Sequence, residues 1–313
     1  MNWNQKALNS CELIRETLNE ALALARQHDD MPRIGDLTLD QVYVVVALDN
    51  GNQGVALNYQ NALSNYVMDL DMRRTFAEYL LKQAQTDPLL TNSLLQTERG
   101  ETLCEVAVAV AIASAVAQPY LTSEELCAVG LIAQSGAVPL ASLVQEGDTV
   151  AVIGFGGYLP EAVSEPCIKR VLVAELNVAH PVPAARLRER VAAWKSQLRG
   201  RSFELHDGSH SADLIRQAQV ACITGSALCN GTLAELLDAA HGCRTVIVQG
   251  HSVALHPTAL LRRGAHYVVQ PVIEIDLLAA ARTFDQRTGD FARFIDRLLP
   301  RKRTISRGQD SLL

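Results

Sequence analysis

The chain has 313 residues, of which 48 % are hydrophobic and 20 % charged, with a formal net charge of −6. That length suits two domains of ordinary size, and that balance excludes extended disorder and a basic field for phosphate backbones, so nucleic acid is not an expected partner. Seven cysteines (Cys11, Cys104, Cys127, Cys167, Cys222, Cys229, Cys243), odd in number and without a C-x-x-C pair, and a polar N-terminal stretch point to a reducing compartment and a cytoplasmic protein.

In chain order, apolar residues Leu8, Cys11, Ile14, Leu18, Ala21, Leu22 and Ala25 fall at helical spacing over residues 3–27. A β-branched run at 42–48, the turn Asp49-Asn50-Gly51-Asn52 and a second short run at 54–59 read as a hairpin. Helical patterns follow at 70–85, 101–117 and 123–135. The apolar stretch 106–117 is shorter than the roughly 20 residues of a membrane span and reads as a buried helix, so no membrane is an expected partner.

Beyond Gln145 the texture alternates. Strands are expected at Thr149–Ile153, Arg170–Glu175, 202–205, Val220–Thr224, Thr245–Gln249 and 267–270, with helices at 184–198, 210–218, 231–240, 257–263 and 276–299. Several strands are apolar throughout, as parallel strands covered on both faces should be. The fold class is therefore α/β: a smaller α+β domain over 1–145, a doubly wound, Rossmann-like parallel sheet over 146–300, and a solvated tail over 301–313 containing Arg301-Lys302-Arg303.

In such sheets ligands bind beyond the carboxyl ends of the strands, where four loops carry candidate chemistry. After the first strand, Gly154, Gly156 and Gly157 allow tight turns and expose amides, although Leu159 and Pro160 break a G-x-G-x-x-G dinucleotide fingerprint. Glu175, 21 residues beyond Gly154, has the spacing of a ribose-binding acid. Thr224, Gly225, Ser226, Asn230 and Thr232 lie between a strand and a helix and form a polar cup, with Asn230 placed to cap the helix. His251 and His256 follow the next strand, with Pro257 and Gly264 bounding the helix after it; with Cys229 they are candidate metal ligands. His180, His206 and His210 match no zinc spacing and read as turn or cap residues. The sequon Asn230-Gly231-Thr232 is discounted in a chain without an export signal.

VAVIGFGGYLP, VLVAELN, TGSALCNGTLAELL and VQGHSVALHP, in this order over about 149–273, resemble a family described as "putative heavy-metal chelation" proteins, of Rossmann-like, domain-of-unknown-function type. The T-G-x-x-L-x-N-G-T-x-x-x-L-L signature carries the resemblance. The chain departs from the family pattern in its longer approach to Pro160 and in His251, where a proline is usual. The resemblance implies an N-terminal domain like that of enolase and a cleft between the domains, to which Asn58 and Glu105 would contribute if they are not core or cap residues.

Two functions follow as expectations. The first is binding of a metal ion, a divalent transition metal, or a metal-associated small molecule between the domains. The second is an enzyme using a nucleotide-type cofactor such as S-adenosylmethionine or NAD on a small substrate. A scaffold without a ligand is the third reading. No nucleophile–base–acid set is recognisable, and the sequence leaves open whether copies associate as a homo-oligomer.

Overall fold

The computed structural model describes residues 3–63, 68–90, 103–154, 156–176, 189, 191–194, 198, 200–283, 295 and 297–308. Helix α1 (Trp3–Gln27) has the expected bounds and leads into a three-stranded antiparallel sheet. That sheet consists of β1 (Ile34–Leu39), β2 (Tyr43–Leu48) and β3 (Gln53–Leu57), in the order β1-β2-β3. The β2–β3 hairpin was legible in the sequence, whereas β1 was not anticipated.

Next come α2 (Gln60–Leu63), α3 (Leu70–Gln83), α4 (Leu103–Ala117) and α5 (Ser123–Ala128). Asp69 starts α3 by accepting the Met72 amide, and Thr122 starts α5 by accepting the Glu125 amide, each satisfying a donor the helix leaves open. The segment Leu103–Leu121 is apolar and long enough to cross a membrane, yet 78 % of it is buried within the protein. Its main part, α4, lies between α1 on one side and β2 and β3 on the other. The approach is close: a Cβ on Gly54 would lie 2.1 Å from the Ala111 carbonyl oxygen.

The second sheet has eight strands, ordered β4-β11-β10-β9-β8-β5-β6-β7. Six run parallel to one another: β5 (Thr149–Ile153), β6 (Arg170–Glu175), β7 (Ser202–Asp207), β8 (Val220–Thr224), β9 (Thr245–Gln249) and β10 (Tyr267–Pro271). Ala151, Ile153, Leu172, Ala174, Ala221 and Ile223 enter the core on one face, and Val150, Val152, Val171, Val173, Val220 and Cys222 enter it on the other. This two-sided burial is why their sequences are continuously apolar. The connecting helices are α6 (Leu159–Ser164), α7 (Ser211–Ile215), α8 (Leu233–Ala239), α9 (Thr258–Arg262) and α10 (Leu277–Thr283). The expected helix at 184–198 and the later part of 276–299 lie largely outside the described residues.

Two strands correct the sequence reading. The helix expected over 123–135 stops at Ala128; Gly130, at φ +76°, turns the chain, and β4 (Leu131–Ser135) follows. Residues 302–307, expected in a solvated tail, form β11 (Lys302–Arg307), which pairs antiparallel with β10 and with β4. Thus a strand that precedes residue 146 belongs to the larger sheet. In the other direction, α10 covers the face of the small sheet carrying Tyr43, Val45 and Val55. Gln53 Nε2 donates to Asp276 at 2.8 Å there, and the Leu278 amide donates to Gln53 at 3.0 Å.

Candidate functional site

The carboxyl ends of β5, β6, β8 and β9 bring their loops together. Gly154, at φ +93°, donates its amide to Ala174 of the adjacent strand at 2.9 Å. A Cβ there would meet Cβ and Cγ2 of Thr224 at 2.8 Å, so glycine serves both the conformation and the contact. Gly157 (φ +54°) has the Gln249 side chain 3.0 Å from where its Cβ would be. Gly225 packs against Val253, which draws the loops after β8 and β9 together. Gly156 and Gly157 are exposed, and Glu175 and Gln249 are half-buried at their strand ends.

Two residues after its start, the signature loop after β8 is cross-linked by hydroxyls. Thr224 Oγ1 and Ser226 Oγ are 2.9 Å apart, and the Tyr59 hydroxyl, from the segment after β3, donates to Ser226 Oγ at 2.9 Å. Asn230 lies near enough to favour the ionised phenol slightly, and the charge of Glu175 acts on the same phenol in the opposite sense. Burial pushes the Tyr59 phenol well above its ordinary value and the Glu175 charge adds to this, while the Ser226 hydrogen bond and Asn230 oppose it. The phenol therefore stays protonated at neutral pH and acts as a donor.

Tyr59 is held from behind by two buried amides. Asn58 Nδ2 donates to the Asp40 carbonyl at 3.0 Å, its Oδ1 accepts the Gln60 amide at 3.0 Å, and Gln60 Oε1 accepts the Cys104 amide at 3.4 Å. Asn58 thus has the structural role weighed for it. Glu105, in the first turn of α4, contributes its charge to raising the Cys104 thiol, after burial, to about 12.

Asn230 does not cap α8 directly. Its Oδ1 accepts the Thr232 amide at 3.2 Å and the Thr232 hydroxyl at 2.7 Å, and Thr232 occupies the cap position. The short side chain closes a turn just before the helix instead of bonding within it.

The three candidate metal ligands have different surroundings. His251 is half-buried, with Nδ1 3.4 Å from the Tyr43 hydroxyl and its ring edge-on to Tyr43 at 5.9 Å. His256 is 1 % exposed, and neither ring nitrogen has a hydrogen-bond partner among the described residues. Burial lowers its pKa, with the charge of Glu20 in α1 opposing. Cys229 is fully buried, and burial raises its thiol to about 12, whereas a metal ligand must be thiolate. Among the described residues, no three His, Cys, Asp or Glu side chains are grouped to hold a metal ion. The described donors do not form a metal cage by themselves.

The remaining histidines lie apart or beyond description. His206 and His210 stand near the end of β7 with ring centroids 5.9 Å apart, His206 Nε2 being 3.3 Å from Glu204 Oε2. Asp207, opposite Glu175 in register, spends its carboxylate on the Ser209 amide. His180 lies outside the described residues. Sequence reasoning missed Tyr59, Tyr43 and Gln249, for no local pattern says that a tyrosine after a hairpin will meet a loop 167 residues later.

Residues 138–288 match a family model described as "DUF364: Putative heavy-metal chelation". The match covers a little under half of the chain and shows what this part is similar to. Two solved DUF364 structures of unknown function share the fold. One, from Pyrococcus horikoshii, has 17 % identity and a TM-score of 0.61, covering 94 % of this chain and 99 % of its own. The other, from Desulfitobacterium hafniense, has 15 % identity and a TM-score of 0.58, covering 95 % and 98 %. No curated protein matches. The DUF364 match spans all four site loops and both departures noted above, the lengthened glycine loop and His251.

Proposed function

We propose that this protein binds a metal-associated small molecule, a metal ion carried as cargo by an organic chelator, in the crevice between its small sheet and the carboxyl ends of β5, β6, β8 and β9. The observation that carries the reading is the Tyr59–Ser226 hydrogen bond at 2.9 Å, with Glu175 and Asn230 acting on the same phenol. It sets a side chain from the small-sheet unit inside the polar cup of the signature loop. The DUF364 description supports heavy-metal chemistry, and the hydroxyl, amide and single-carboxylate character of the cup suits the oxygens and donors of an organic ligand better than a bare ion. Six described cysteines are free, which supports the cytoplasmic placement.

The test is metal analysis of natively purified protein, together with thermal shifts against zinc, nickel and cobalt, each as the free ion and as its citrate complex. Stabilisation by a chelate, lost in Glu175→Gln while the unliganded melting temperature is retained, is the expected result. Protein that carries no metal and responds to neither form refutes the reading.

The nucleotide reading has its own observation: a glycine turn at positive φ after β5, with an acid ending β6. Stabilisation by S-adenosylmethionine or NAD that disappears in Glu175→Ala, with no response to chelates, would establish it instead.

A further inference from the structure

His206 and His210 stand on either side of a tight turn at the carboxyl end of β7, the last strand of the larger sheet. A Cβ on Gly208 between them would lie 2.5 Å from Leu176 Cδ2, a closeness that glycine permits. The short turn Gly208–His210 brings the two rings to a centroid separation of 5.9 Å, with their planes tilted by 50°. Behind them, Arg170 on β6 grips both carboxylate oxygens of Glu204, at 2.6 and 3.0 Å, and Glu204 Oε2 is 3.3 Å from His206 Nε2. An ionised carboxylate only accepts, so His206 Nε2 carries the proton and the neutral ring keeps its lone pair on Nδ1. Ser209 Oγ, 3.4 Å from His210 Nδ1, can accept a hydrogen bond from it, which leaves the His210 lone pair on Nε2. His206 is half-buried and His210 exposed, so solvent reaches the pair.

We infer that His206 and His210 together chelate one divalent transition-metal ion, with water completing its coordination, and that Glu204 is the positioning residue that holds the His206 ring. This site is separate from the crevice and takes the bare ion instead of a chelate. Two imidazoles on one ion, each nitrogen about 2.0–2.1 Å from it, have centroids roughly 5–6 Å apart, and the separation of 5.9 Å already meets this. A ligating histidine that gives its other ring proton to a carboxylate has its tautomer and orientation fixed, as Glu204 does for His206. Two nitrogen donors suit nickel, copper or zinc over calcium and magnesium, which take oxygen ligands. Two donors are also fewer than a cage needs, in keeping with the absence of any group of three among the described residues, so the ion exchanges with solvent. Negative charge is at hand in Glu204 and in Asp207, whose carboxylate feels the charge of His210. The spacing His206-Asp207-Gly208-Ser209-His210 is no zinc signature; the turn brings the rings together.

Nickel chloride titrated without chelator into the untagged full chain, followed by calorimetry and by the side-chain resonances of 15N-histidine-labelled protein, tests the site. One equivalent should bind, with the His206 and His210 signals broadening together at the lowest additions. His206→Gln and His210→Gln should each weaken binding by about a hundredfold, since a second tethered ligand adds at least that much to a single one. Affinity unchanged in either variant, or two signals that broaden at different nickel concentrations, overturns the shared ion. Glu204→Ala should lower the affinity by about tenfold with the melting temperature retained, and Glu204→Gln, which keeps an acceptor for His206, by less. Wild-type affinity in Glu204→Ala overturns the positioning role. Glu175→Gln should bind nickel as the wild type does, so this site and the crevice reading stand or fall separately. Nickel binding lost in Glu175→Gln, with the two histidine signals unbroadened in the wild type, would put the ion in the crevice and overturn the pair.

Discussion

Replacing Gly154 by alanine tests whether the loop after β5 is shaped by its contact with Thr224. The backbone there is at φ +93°, a region L-residues rarely adopt, at a cost of roughly 1–2 kcal/mol. The new methyl would also lie 2.8 Å from both Cβ and Cγ2 of Thr224, a β-branched side chain that cannot swing clear, and such overpacking costs about 1–3 kcal/mol. Together the two terms give about 2–5 kcal/mol of destabilisation. Two residues on, Gly156 is exposed and a Cβ there meets nothing within 4 Å, so Gly156→Ala should stay within about 0.5 kcal/mol of the wild type. Urea denaturation followed by circular dichroism measures both, with an unchanged slope confirming that stability alone has moved. Equal midpoints for the two variants would refute the reasoning, since they share chemistry and differ only in backbone angle and neighbour.

Two further outcomes follow from titrating groups. His256 is buried with neither ring nitrogen partnered among the described residues and its pKa lowered by burial, so the folded protein binds its proton less readily than the unfolded chain does. Its contribution is intact above the unfolded value of about 6.5 and is lost as pH falls below it, by up to about 1.4 kcal/mol per pH unit. His256→Leu should therefore lose less stability than wild type between pH 7.5 and pH 5, and parallel profiles would show that this imidazole is not what acid attacks. At the β6–β7 edge, Arg170 bonds both oxygens of Glu204 and holds its carboxyl down to about 2. Because the pair is about one-third exposed, Arg170→Met should cost less than about 1 kcal/mol near neutrality, with the Glu204 carboxyl returning towards its ordinary range in an NMR titration. The Glu204 contribution is present above the unfolded carboxylate range and fades as pH falls towards 2, so an unchanged Glu204 titration would contradict the assigned cause.

The inner strands were readable because each is buried on both faces. TVAVI, VACIT and TVIVQ are apolar almost throughout, and the structure returns the bounds expected for them. Strands at or near an edge escape that logic. In β4, LIAQS buries only Leu131, and KRTISR of β11 buries only Thr304 and Ile305, so their sequences resemble a helix end and a charged tail. The loops of the larger sheet were legible as a group because parallel topology puts strand ends side by side. Tyr59 was not, because its place is fixed by Asn58 and Gln60 anchoring to Asp40 and Cys104, contacts made only after the small sheet and α4 have docked.

The position of β11 has a consequence for the order in which the molecule can be completed. Among the described strands β4 is hydrogen-bonded to β11 alone, a strand that begins 167 residues after β4 ends. During synthesis, at roughly 5–20 residues per second, the ribosome releases α1, the small sheet and β4 well before the strand that gives β4 its hydrogen-bonding partner. For many seconds β4 has no place in the sheet, and the arrival of β11 both ends that wait and closes the chain into a loop fastened at its two distant ends. A nascent chain halted before residue 302 should thus expose the backbone edge of β4 that β11 covers in the finished protein.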